Sequence, residues 1–152
     1  MEVDAAHPAN VGVLKYLEGR TPPSSPLTCS PSSVKNPYYT LGSHPDIVER
    51  LWEQLQAALP VDCRWIVYRT PVLLHPRGIV LAAALGTTYA IRLTEEHLKV
   101  GIARGAKTLN RYAGGRELDV QREFGDDWIF GGWFSEEAAW CRAAYDAFLI
   151  SK

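Results

Sequence analysis

CRWIVYRTPVLLHPRGIVLAAALGTTYAIRL, residues 63–93, alternates strand-forming runs with proline and glycine punctuation. Over 63–70, Trp65 and Val67 alternate with Arg64, Ile66 and Tyr68, the pattern of a strand exposed on part of one face. Pro71 interrupts the chain, and 72–75 resumes as a strand. Pro76-Arg77-Gly78 supplies a turn, and IVLAAAL (79–85) then runs without a polar side chain, which suits a central strand covered on both faces. After a second turn at Gly86-Thr87-Thr88, Tyr89, Ile91 and Leu93 alternate with Ala90 and Arg92. Sequential strands with such short connections predict an antiparallel meander.

Helix signals flank this core. Upstream, Ser43 or His44 caps a helix with Pro45 in its first turn. Ile47, Val48, Leu51, Trp52, Leu55 and Leu59 recur on one face until Pro60 ends it. Downstream, Thr94 caps a second helix, with Glu95 and Glu96 at its positive end and Gly105 as the left-handed terminator. A strand is expected over 107–112 with a turn at Gly114-Gly115. Asp119 then caps a brief helical turn through Phe124, Trp128-Ile129-Phe130 forms a short strand, and a last helix starts at Ser135. The resulting fold class is α+β, with an antiparallel sheet of four to six strands and three helices packed on it, over residues 37–152 as a single domain.

Residues 1–36 read as an N-terminal arm. The 21–37 stretch at its end, TPPSSPLTCSPSSVKNP, which runs one residue into the domain, has five prolines and five serines and no apolar period, so it reads as a linker or a surface-hugging arm. Ahead of it Val11, Val13, Leu14 and Leu17 form the stripe of a short helix, weakened by Gly12 and too short to be stable alone. Such a segment either frays or docks on its own domain or a second subunit.

A hydrophobic content of 47% excludes an intrinsically disordered chain. The odd, scattered Cys29, Cys63 and Cys141 fit neither a disulfide framework nor a zinc site, so no cofactor or metal is expected. With no basic and apolar leader at the start and no apolar run long enough to span a bilayer, a cytoplasmic protein with no membrane partner is expected.

Charge is sorted along the chain. Residues 64–116 hold nine bases against two acids, about +7, whereas 117–152 hold eight acids against three bases, about −5. The two stretches either present an anion-binding surface or neutralise each other by packing side by side. If strands bring Arg64, Tyr68, Arg92, Lys107 and Arg111 onto one face, that face would suit phosphate contact and base stacking. The pI near 6.4 argues against it.

The most unusual local composition is FGDDWIFGGWF, residues 124–134, with five aromatics, three glycines and an acidic pair. It suits either a ligand-contacting loop or a final strand turning into a capped helix. Asp126 and Asp127 lack the further ligands a metal site needs. His75, at a turn read as exposed, and Cys63 would form a weak base and nucleophile pair. No nucleophile elbow, phosphate-binding loop or dinucleotide fingerprint occurs.

The function expected from these residues is a non-catalytic binding or interaction domain. It would self-associate or engage a protein partner through Arg64, Tyr68, Arg111, Asp127, Trp128 and Trp133, because arginine and aromatic side chains dominate interface energetics. Two alternatives stand beside it: a small enzyme with a pocket near His75 and 126–133, and a nucleic-acid-binding protein using the basic 64–116 region.

Overall fold

The computed structural model describes residues 2–111 and 116–150. Its centre is a six-stranded antiparallel sheet in the order β1-β2-β3-β4-β5-β8. The strands are β1 (Thr28–Cys29), β2 (Arg64–Val67), β3 (Thr70–Leu74), β4 (Val80–Leu85), β5 (Thr88–Arg92) and β8 (Trp128–Phe130), and β6 (Leu109–Asn110) pairs with β7 (Leu118–Asp119) in a separate ribbon. β2 to β5 form the meander the turn residues predict. Pro71 does not interrupt it: Pro71 lies within β3 opposite Ile66, and the chain reverses at Tyr68-Arg69 instead. The expected 107–112 strand shrinks to Leu109–Asn110. Its Tyr112 and the Gly114-Gly115 turn fall outside the described residues.

Alternate strand residues go to opposite faces. Ile66, Leu73, Leu81, Ala84, Tyr89, Ile91 and Ile129 join one buried cluster, and Val67, Val72, Leu74, Val80, Ala83, Leu85, Ala90, Trp128 and Phe130 join the other. β4 contributes to both clusters and is wholly buried, as its apolar run requires.

The three expected helices are present, but three undercounts the helices of the described residues. The first face is covered by α6 (Glu137–Ile150) and by a helix that begins as α3 (Pro45–Glu49), widens to a π-helix over Arg50–Leu55 and closes as a 3-10 turn. The His44 ring accepts the Asp46 N–H at 3.2 Å as its cap. α4 (Glu95–Ala103) starts at Thr94, whose hydroxyl accepts from His97 N–H, and ends before Gly105 at φ +89°. Added to these are α1 (Val11–Gly19), α2 (Pro37–Thr40) and α5 (Val120–Glu123).

The second face is covered by α1 and α5. Val13 and Leu17 of α1 are fully buried in its cluster. Gly12 is what lets α1 approach so closely: a Cβ there would lie 2.5 Å from the Glu123 carbonyl oxygen and 2.7 Å from that of Phe124. Ahead of α1, Asn10 is 0% exposed. Its amide donates to the Asp4 and Gly78 carbonyls at 2.7 and 2.8 Å, and its oxygen accepts the Val80 N–H at 3.0 Å. No helix of the described residues is long and apolar enough to cross a membrane.

Candidate functional site

Packing sorts the bases of 64–116. Arg64 forks onto Asp62 through Nε and Nη2, both at 2.9 Å, and Lys99 pairs with Glu95 at 3.3 Å. Arg92, 3% exposed, reaches Asp127 at 3.0 Å and the Val80 and Ala9 carbonyls at 3.0 and 2.9 Å, with its guanidinium 4.8 Å from the Trp128 ring centre. Burial lowers its pKa and Asp127 opposes that shift. Arg104 pairs with Glu136, whose carboxyl is held down at about 2 by the hydrogen bonds from Arg104 and Ser135. Arg92–Asp127 and Arg104–Glu136 join the basic stretch to the acidic one, so part of the segregation cancels in space. Among the described residues Arg69, Lys107, Arg111 and Arg116 have no ion pair.

The 131–134 loop is closed by Glu137, which the sequence reads only as an acid in the first turn of the last helix. Glu137, 3% exposed, turns its carboxylate back onto the chain and accepts from the N–H groups of Gly132, Trp133 and Phe134 at 2.8, 3.1 and 3.0 Å. It also accepts the Tyr89 hydroxyl, and burial followed by this bond pushes the phenol's pKa up. Successive N–H groups around one carboxylate form an anion nest, here filled from within. The signal was legible as half a capping box, a Glu three residues after Phe134 at the helix entry. Arg104 braces the loop from outside, 5.0 Å over the Phe134 ring.

The loop's backbone is thereby fixed while the Trp133 indole is left 58% exposed. The other four tryptophans are buried or half-buried. Trp133 lines a hollow of about 310 Å³ with Lys107, Leu109, Asn110 and Arg111. Both banks hang from the sheet edge, because Trp133 follows β8 and the Phe130 N–H donates to the Lys107 carbonyl at 2.8 Å. Leu109 is also exposed. The hollow therefore combines an indole, an isobutyl group and two cations without ion pairs, and it can take an apolar group flanked by negative charge.

Of the six predicted site residues, only Arg111 and Trp133 are brought together here. Arg64 lies beside a separate hollow of about 460 Å³ with Ser30, Asp62 and Trp65. Tyr68 sits in the β2–β3 turn with its hydroxyl on Glu18 at 3.1 Å. Asp127 is the ion-pair partner of Arg92, and Trp128 is fully buried beneath that guanidinium. The single basic face does not form: Arg92 is buried, and Arg111 follows the two-stranded ribbon rather than the main sheet.

His75 is 0% exposed, not at an open turn. Its Nδ1 accepts the Arg77 N–H at 3.0 Å, so Nε2 carries the proton and donates to the Tyr145 carbonyl at 3.1 Å. Burial lowers its pKa. Cys63 is also buried, and desolvation pushes its thiol up to about 12. Among the described residues no group of three or more His, Cys, Asp or Glu could hold a metal ion. Comparison of the chain with protein-family models, curated proteins and solved structures finds no match.

Proposed function

We propose that this protein is a non-catalytic interaction domain that engages an acidic, apolar-bearing protein segment at the Trp133 hollow. The observation that carries this reading is an exposed indole on a rigid backbone, flanked by two cations that have no ion pair among the described residues. An anchor whose backbone is already ordered loses little conformational entropy on binding. Tryptophan and arginine are the side chains most enriched among residues that dominate interfaces. A protein partner is favoured over nucleic acid because among the described residues only Lys107 and Arg111 line the hollow as cations without ion pairs, whereas nucleic-acid affinity rests on a track of several phosphate contacts.

The test is titration with a labelled acidic peptide containing Leu and Phe, beside a single-stranded oligonucleotide, read by anisotropy and by tryptophan emission. Peptide binding should weaken by about 2 kcal/mol, roughly 30-fold, in Trp133→Ala, and by less in Arg111→Ala, with unchanged circular dichroism. Salt-sensitive oligonucleotide binding without peptide binding would replace this reading with the nucleic-acid one. A dimer abolished by Trp133→Ala would make the partner a second copy. No binding together with a monomer at every concentration rejects the proposal.

A further inference from the structure

A third cavity, of about 260 Å³, opens where three segments meet: Arg20 and Thr21 after α1, Thr40 and Gly42 at the end of α2, and Arg69 and Thr70 where the β2–β3 turn enters β3. No carboxylate lines it, and neither Arg20 nor Arg69 has an ion pair among the described residues. Five other arginines of the chain (Arg64, Arg92, Arg104, Arg122 and Arg142) do have one. Arg20 is half-buried, and its pKa is lowered first by desolvation, with the neighbouring Arg116 adding to the effect and Tyr16 opposing it. Positive charge is thus gathered at this mouth with no ion-pair partner among the described residues.

The turn that carries Arg69 is unusual in the same direction. Tyr68 and Arg69 both hold positive φ, 45° and 59°, in a two-residue hairpin connection where Asn-Gly is the favoured pair. The Tyr68 N–H donates to the Leu27 carbonyl at 3.1 Å and its hydroxyl to Glu18, which clamps the turn against the end of α1 and the Pro/Ser-rich segment. Backbone held in sparsely populated conformations concentrates at ligand clamps. The hydroxyls of Thr21, Thr40 and Thr70 donate to backbone carbonyls, so the side-chain donors left for a ligand are the two guanidinium groups.

We propose that this cavity binds a phosphate group, held between Arg20 and Arg69. Guanidinium forks match phosphate oxygens in bidentate geometry, and two forks suit a dianion better than a single carboxylate. The volume lies below the roughly 300–1,000 Å³ of pockets for drug-sized ligands, so the ligand is inorganic phosphate or a small phosphomonoester. This site is separate from the Trp133 hollow, and either can fail without the other.

The experiment is calorimetric titration and thermal shift of the full chain with inorganic phosphate and with glycerol phosphate, at ionic strength matched with chloride. Both should bind and raise the melting temperature, and Arg20→Gln or Arg69→Gln should weaken binding roughly tenfold or more. Arg122→Gln, whose partner Glu123 lies outside the cavity, should bind like the wild type. Replacing Tyr68-Arg69 by Asn-Gly should raise the melting temperature of the free protein and still abolish binding, which separates lost recognition from lost folding. Tighter binding of glycerol phosphate identifies a monoester as the ligand, and equal binding identifies free phosphate. No phosphate-specific shift up to about 10 mM, or equal binding by wild type and both Gln variants, overturns the proposal.

Discussion

Replacing Asn10 with Ala should cost about 3 kcal/mol of stability, although the residue lies in a stretch that composition assigns to an arm. The figure follows from which partners are left alone. The Gly78 carbonyl keeps the Asp4 N–H at 2.9 Å, and the Asp4 carbonyl keeps the His7 N–H at 3.2 Å, so both stay satisfied after the side chain is removed. The Val80 N–H has no second acceptor, because its one proton goes to the Asn10 oxygen at 3.0 Å. An orphaned buried N–H costs about 1–3 kcal/mol, and the two lost carbonyl contacts add about 1 kcal/mol more. For a chain of this size each kcal/mol lowers the melting temperature by roughly 2–4 °C, so the expected fall is about 6–12 °C. Thermal unfolding followed by circular dichroism reads it, and hydrogen exchange should show the Val80 amide losing protection. A fall of less than about 2 °C, the least that one orphaned amide allows, refutes the reasoning and returns residues 2–10 to the status of a loose arm.

Two further outcomes are expected. His75 has its pKa lowered from the ordinary 6.5 by burial, so the unfolded chain binds more protons between the folded value and 6.5. Stability should be level above about pH 6.5 and decline as the pH falls below it, with a slope under the one-proton limit of about 1.4 kcal/mol per pH unit that His75→Gln removes. Denaturant melts from pH 8 to pH 5, whose lower range other groups share, check this through the wild-type minus variant difference, and an absent difference contradicts it. Cys63 and Cys141 are buried with thiols pushed up to about 12, whereas Cys29 is partly exposed. A thiol-reactive dye should therefore label one cysteine in the native protein and all three after denaturation, and prompt labelling of Cys63 or Cys141 would show that the core opens.

Much of the sheet was legible because its signals are local. The Pro76-Arg77-Gly78 and Gly86-Thr87-Thr88 turns, the polar-free 79–85 run and the Thr94 cap with Gly105 each depend on a few adjacent residues, and the structure keeps all of them. Local reading failed where a distant contact decided the outcome. Pro71 reads as a break, yet β3 accommodates it and the reversal falls on two non-glycine residues at positive φ. His75 reads as exposed because a turn follows it, but the carbonyl of Tyr145, seventy residues away, closes over it. The candidate site divided in the same manner. Trp133 and Arg111 were identifiable by residue type, whereas Arg64, Asp127 and Trp128 look equivalent in sequence and are spent on Asp62, on Arg92 and in the core.

The one-dimensional chain thus determined the central strands of the meander and β8, the two glycine-bearing turns and most of the helix ends, since backbone preference and hydrophobic period are properties of neighbouring residues. Tertiary structure decided that α1 covers the second face of the sheet, that Glu137 locks the loop beneath Trp133, and which cations remain available to a partner. Those contacts join groups 3 to 111 residues apart in sequence, from Phe134 and Glu137 to Gly12 and Glu123. Their energies come from close approach and the exclusion of water, conditions met only once the sheet has been assembled.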